Sequence, residues 1–235
     1  MDVRSHLFQR LVLDESYESH LVETCKRFVP AHRDAIDVGA NAGLFSVLMA
    51  ALAPDQRILA VEPSASMIAR LRANLIRNGL DQRVEIFEGA LAEEKGTAQL
   101  QAIEGLEEYG TLGTLSHPAL RGLDSTRSET VPTISLDSLV AKHGLSPGFI
   151  KIDVEGAEAR VLKGAVETLT RYRPVVLTEL HPTLLSANGS SALEVIELLD
   201  GACYDLFDPA TPEYAPIFPS DHRQVTEALC LPRDD

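Results

Sequence analysis

The chain has 235 residues, 45% hydrophobic and 24% charged, a composition that excludes a disordered, fibrous or disulfide-stapled protein. Asp and Glu number 35 against 21 Lys and Arg, a net charge of −14. Such a surface repels phosphate backbones and anionic lipid, so nucleic acid and integral membrane association are not expected.

The N-terminal stretch MDVRSHLFQRLVLDESYE sets acids among its apolar residues and has no small-residue cleavage site, unlike a signal peptide. No apolar run reaches the ~18–20 residues of a membrane helix. Cys25, Cys203 and Cys230 show no CxxC spacing. Reduced thiols in a cytoplasmic protein are expected, not a zinc site.

Residues 16–29 predict an amphipathic helix capped by Ser16, with Tyr17, Leu21, Cys25 and Phe28 on one face. With the residues before it, this makes an N-terminal helical extension over 1–33. A strand ends at Gly39, a helix spans 44–53, and RILAVE (57–62) is the next strand. Pro63-Ser64 opens a helix with Met67, Ile68, Leu71 and Leu75 inward, and Asn78-Gly79 stops it. VEIF (84–87) is a third strand. The β-α-β-α-β order predicts a parallel sheet.

Residues 93–135 carry strand-like runs at 97–103, 110–115 and 129–135 with no long helix, and read as an inserted antiparallel flap. Gly105, Gly110 and Gly113 make it easy to move, and it is expected at the mouth of a site. The α/β rhythm then returns: FIKIDV (149–154) is a strand, 158–171 a helix interrupted at Gly164, and PVVLTEL (174–180) a strand. A helix at 190–199 and strands at 203–207 and 227–231 follow. No linker divides the chain, so 1–235 is expected to be one domain.

The chemistry begins at Asp37-Val38-Gly39-Ala40-Asn41-Ala42-Gly43, a glycine-rich turn that opens a helix. The backbone there can approach a ligand closely, and the helix end offers N–H groups. A dinucleotide site would show GxGxxG. Here two glycines are separated by three residues, and Asp37 precedes them. A carboxylate at that point attracts a cation, so the expected ligand carries an ammonium or sulfonium; S-adenosylmethionine carries both. Glu62, at the end of the second strand, suits two ribose hydroxyls.

The blocks IDVGANAGLFS (36–46), AVEPS (60–64), ISLDSL (134–139), FIKIDVEGAEARVLKGA (149–165) and RPVVLTELHP (173–182) resemble the FkbM family of Rossmann-like S-adenosylmethionine-dependent methyltransferases. The resemblance runs from about residue 17 to the C-terminus. It implies an α/β fold: a seven-stranded, mostly parallel sheet with helices on both faces and an antiparallel last strand. It implies methylation of a hydroxyl on a sugar, a glycan or a small-molecule natural product. It also implies that Asp37, Gly39, Ala40, Asn41 and Gly43 cradle the methionine end of the cofactor. Glu62 would hold the ribose, and Glu88, Gly89 and Ala90 the adenine. Many related enzymes have an acid where this chain has Ala90.

Lys151 and Asp153 alternate onto one side of their strand, and Asp153 stands at the carboxyl end, where open α/β sheets bind ligands. Glu155 and Glu158 follow, and Glu179 and His181 end the next strand. Asp153 and His181 are the candidate bases, with Lys151 and Glu179 beside them as further catalytic candidates. Structural readings compete: Lys151–Asp153 as a stabilising ion pair, Glu158 as a helix cap and His181 as a turn residue. Mg2+ on Asp153, Glu179 and His181 is an alternative that is not favoured, so no metal site is assigned. The sequence leaves other options open: nitrogen or carboxyl methylation, and a non-catalytic binding module. The oligomeric state is also open, a homodimer included.

Overall fold

The computed structural model describes residues 18–103, 106–113, 126–211 and 213–233. Ser16, Tyr17 and Gly105 lie outside them. Helix α1 spans Ser19–Phe28, starting at Glu18, and places Leu21 and Cys25 inward. Strand β1 (Asp34–Val38), helix α2 (Leu44–Leu52), strand β2 (Ile58–Glu62), helix α3 (Ala65–Arg77) and strand β3 (Val84–Glu88) follow in the expected rhythm. Helix α3 starts where Ser64 accepts a hydrogen bond from the Met67 amide.

A second, four-stranded sheet interrupts that rhythm. It contains β4 (Ala90–Leu91), β5 (Gly96–Ile103), β6 (Leu106–Thr111) and β7 (Thr126–Ile134), in the order β4-β7-β5-β6. Only the β4–β7 pairing is parallel; β5 pairs antiparallel with both β6 and β7.

The chain returns to the main sheet through α4 (Leu136–His143), a helix that the sequence pattern did not suggest. Then come β8 (Pro147–Ile152), α5 (Glu158–Lys163), α6 (Val166–Tyr172) and β9 (Val175–Glu179). The expected 158–171 helix is thus two helices, broken at Gly164-Ala165. A short helix α7 (Pro182–Ala187), also unforeseen, precedes α8 (Ala192–Gly201), β10 (Tyr204–Asp208), β11 (Ala215–Pro216) and β12 (Glu227–Pro232).

The main sheet runs β11-β10-β12-β9-β8-β1-β2-β3. Its strands β3, β2, β1, β8 and β9 are mutually parallel, and β12 is antiparallel to both β9 and β10. The fold is Rossmann-like, with the antiparallel last strand that the resemblance implied. One detail differs: the two-residue edge strand β11 raises the count from seven to eight.

Every residue of β1, β2 and β8 is buried, because helices cover both faces and no polar alternation is needed. The two faces sort by parity. Ile36, Val38, Ile150, Ile152 and Val176 pack toward α4, α5, α6 and α8. Ala35, Phe149 and Leu177 pack toward α1, α2 and α3 through Cys25, Phe45, Met49 and Leu71. Asp37 and Lys151, paired across β1 and β8, have the parity of this second face.

The amino ends of the strands are tied by Asp34. Its carboxylate accepts from the Arg57 guanidinium at 3.0 Å, the Arg57 amide at 3.2 Å and the Ser146 amide at 2.8 Å. Asp34 is buried, and the three donors belong to segments leading into β2 and β8. Replacing Asp34 by Ala strips these donors of their partner and should cost ~2 kcal/mol of unfolding free energy. Denaturant titration checks this; the loss should leave the opposite rim of the sheet and its ligand binding intact.

Candidate active site

The carboxyl ends of β1, β2, β8 and β9 meet at one rim. Gly39, just after β1, has φ 80°, a left-handed backbone that suits glycine. A side chain there would also place its Cβ 1.8 Å from the Asp153 carbonyl oxygen. The missing side chain therefore lets two segments of the protein touch, and the Asp153 amide donates to the Val38 carbonyl at 3.0 Å beside it. Ala40, buried, donates its amide to Val61, and Asn41 and Gly43 are left-handed at φ 53° and 88°.

Two acids brace this rim through backbone amides. Glu62 accepts from the Asn41 amide and the Ser64 amide, both at 2.8 Å. It thereby fastens the glycine loop to the start of α3. Burial pushes its carboxyl up to about 7, against the pull of those two amides. Glu158 accepts from the Val154 amide at 3.0 Å and the Gly156 amide at 3.2 Å, which fixes the turn after β8. Its carboxyl too is pushed up to about 7, burial again leading.

Charge is organised around Lys151. Its ammonium donates to Asp153 Oδ2 at 2.7 Å and lies 4.6 Å from the centre of the Phe45 ring, a cation–π distance. The lysine side chain is 4% exposed and that of Asp153 37%. Burial opposes the ammonium, yet Asp153 and Asp37 outweigh it and hold the lysine pKa above its ordinary value. Asp37 accepts from the Ser46 hydroxyl at 2.6 Å. Burial raises its pKa, and Lys151 opposes the rise.

Among the described residues, Asp37 Oδ1, Glu155 Oε2, Glu158 Oε2, Glu179 Oε2 and His181 Nδ1 are buried atoms with no hydrogen-bond partner. Buried polar atoms without partners are costly and mark places where a ligand can supply them. Burial holds the Glu155 and Glu179 carboxyls well above the usual carboxylate range, reinforced by Asp153. His181 starts α7, directly before Pro182.

Of the expected site residues, Asp37, Glu62, Lys151 and Glu179 all stand within electrostatic reach of Asp153. Glu88 is apart: it is half exposed and ion-paired with Arg72. Gly89 lies against the Phe87 ring and the Pro132 carbonyl, and Ala90 pairs with Thr133 in the second sheet. No group of three or more His, Cys, Asp or Glu among the described residues could hold a metal ion.

Sequence reading missed four neighbours. Phe45 and Ser46 lie in the first turn of α2, where only the fold shows that they reach Lys151 and Asp37. Thr111, at the end of β6, donates to the Glu155 carbonyl at 2.8 Å, and Asn188 donates to the same carbonyl at 3.1 Å. The second sheet therefore touches the turn after β8 at this rim.

The sequence profile described as the methyltransferase FkbM domain matches residues 37–206. The chain belongs to the FkbM methyltransferase family. This FkbM methyltransferase is 28% identical over 233 residues to the 31-O-demethyl-FK506 methyltransferase FkbM of Streptomyces tacrolimicus, an alignment covering 89% of this chain and 85% of the relative. It is 30% identical to the 2-O-methyltransferase NoeI of Sinorhizobium fredii, covering 70% of each. It is also 29% identical to the AMB antimetabolite synthetase AmbE of Pseudomonas aeruginosa, covering 83% of this chain but spanning only 10% of that synthetase.

Glu158 makes stability depend on pH with a definite sign. Its folded pKa of about 7 exceeds its ordinary value of 4.5. Between those values the folded enzyme keeps a proton that the unfolded chain has lost. The contribution of this group is therefore full below pH 4.5 and falls as pH rises toward 7. A Glu158→Gln variant does not titrate there. Its unfolding free energy relative to wild type, measured by denaturant titration, should improve steadily across that window. A constant difference would show that Glu158 ionises normally.

Proposed function

We propose that this methyltransferase moves a methyl group from S-adenosylmethionine to a hydroxyl of a small molecule or of a sugar in a glycan. The observation that carries the cofactor reading is Asp37 Oδ1 beside the glycine loop, buried and without a partner among the described residues. A donor-bearing cation such as the methionine ammonium suits it, and a diphosphate does not. The oxygen reading is supported by the two relatives of nearly matching length, whose names both specify methylation at oxygen.

In this reading S-adenosylmethionine supplies an electrophilic methyl carbon on a sulfonium. Asp37 receives the ammonium. Glu62 orders the loop through its two amide contacts, and its carboxylate oxygens retain lone pairs for ribose hydroxyls. Glu88, Gly89 and Ala90 stand on the adenine side, with Glu88 able to turn from Arg72 to the base. Lys151 pairs with Asp153 at the strand end where the acceptor enters. Asp153, Glu179 and His181 hold or move the acceptor proton, and Mg2+ is not required. The second sheet, touching the rim at Thr111, would cover the acceptor. Among the described residues no helix is long and apolar enough to cross a membrane. The three cysteines are free, which suits the cytoplasm.

Titration calorimetry with S-adenosylmethionine tests the assignment. Glu62→Ala should weaken binding roughly tenfold to a hundredfold, the ~1.5–3 kcal/mol of a charge-assisted partner. Asp153→Asn should bind normally yet lower methyl transfer by ~10²–10⁴. An unchanged dissociation constant for Glu62→Ala would refute the ribose assignment.

A further inference from the structure

Glu155 follows β8 and holds φ at 54°, a left-handed backbone on a residue that is not glycine. Such conformations cost energy and cluster at functional sites. Two donors pin it there from different elements. Its carbonyl takes the Thr111 hydroxyl from the end of β6 and the Asn188 amide from the end of α7. Asn188 also donates to the Leu184 carbonyl at 2.9 Å, and a Cβ on Gly113 would fall 1.5 Å from its Oδ1. The clamp therefore closes tightly around the backbone of Glu155 while its carboxyl oxygen Oε2 is left buried and unpartnered. A turn needing only a left-handed residue would be met by glycine, as the next position, Gly156 at φ 98°, is.

Glu179 faces the same rim from the neighbouring strand. Ile152 pairs with Thr178 in the parallel β8–β9 register, which brings Asp153 alongside Glu179. Glu179 Oε2 is likewise buried and unpartnered. Asp153, Glu158, Lys151 and Glu18 act on Glu155, Asp153, Glu158 and Lys151 act on Glu179, and the two glutamates act on each other. The cation in both sets, Lys151, is already bonded to Asp153. Two buried carboxyls without a free counter-charge among the described residues favour their protonated forms, and a protonated carboxyl cannot take a proton from an acceptor.

We infer that Glu155 and Glu179 form the pair that receives the acceptor's hydroxyl proton, and that a proton leaves this pair when the cationic cofactor docks. The inference rests on the cofactor reading above. A sulfonium at the rim supplies the missing counter-charge, so one carboxyl ionises and becomes the base. As the acceptor oxygen takes the methyl carbon, the electron pair of the breaking carbon–sulfur bond stays on sulfur. The hydroxyl proton passes to the carboxylate.

S-adenosylmethionine and S-adenosylhomocysteine isolate the effect, because the second lacks the sulfonium charge. Calorimetry of each ligand at pH 7, in buffers of different ionisation enthalpy, counts the protons released on binding. The wild type should release more with S-adenosylmethionine than with S-adenosylhomocysteine. Glu155→Gln and Glu179→Gln should each lose most of that excess while keeping cofactor affinity within about threefold. Their thermal midpoints should match or exceed the wild type, since unpartnered buried acids cost stability; should one variant not fold, the other decides. An excess that persists in the variants, or no excess in the wild type, overturns the proposal. If neither ligand binds the wild type, the cofactor reading fails, and the proposal with it.

Discussion

One buried ammonium sets the terms for the whole rim. Lys151 is 4% exposed and holds Asp153 at 2.7 Å, and it faces Asp37 across the β1–β8 pairing. A lysine near the carboxyl end of an all-buried strand is tolerated only when opposite charge surrounds it. The converse holds too: Asp37, Glu62, Asp153, Glu155, Glu158 and Glu179 converge on a space where like charges would repel. Lys151 and protonation together make that convergence compatible with folding. The Phe45 ring, 4.6 Å from the ammonium, replaces part of the solvation that burial removes.

The acids around this cation divide by what their oxygens touch. Glu62 and Glu158 spend oxygens on backbone amides, so they shape the two turns that frame the site. Asp37, Glu155 and Glu179 each keep a buried oxygen without a partner among the described residues, as does Glu158 at its second oxygen. A protein optimised for stability alone would pair or remove such oxygens. Their persistence at strand ends, beside two turns braced by other acids, is the pattern of a ligand site built at the expense of stability.

Much of this was legible in the sequence because the code there is local. The β-α-β rhythm, the glycine loop after Asp37 and the lysine–aspartate alternation in β8 each sit within a few residues. The antiparallel last strand came from the family resemblance. Helix α4 was missed although Ser135 caps it by accepting from the Ser138 amide at 3.2 Å, because eight residues directly after β7 are too few to show a helical period. Helix α7 is shorter still. Phe45, Ser46, Thr111 and Asn188 were invisible as site residues for a different reason. Their roles come from contacts between different elements, and neither periodicity nor propensity encodes those. The left-handed Glu155 was equally hidden, since glycine is the residue that announces such a backbone.

The central claim is that Lys151 is the counter-charge on which the rim depends. Denaturant titration of Lys151→Met at pH 7 tests it most directly, because methionine keeps the length and apolar stem while removing the charge. The expected loss of unfolding free energy is about 3 kcal/mol, the lower end for breaking a buried pair because Asp153 is partly in solvent. A loss below about 1 kcal/mol would contradict the claim, since the acids would then be stabilised without their cation.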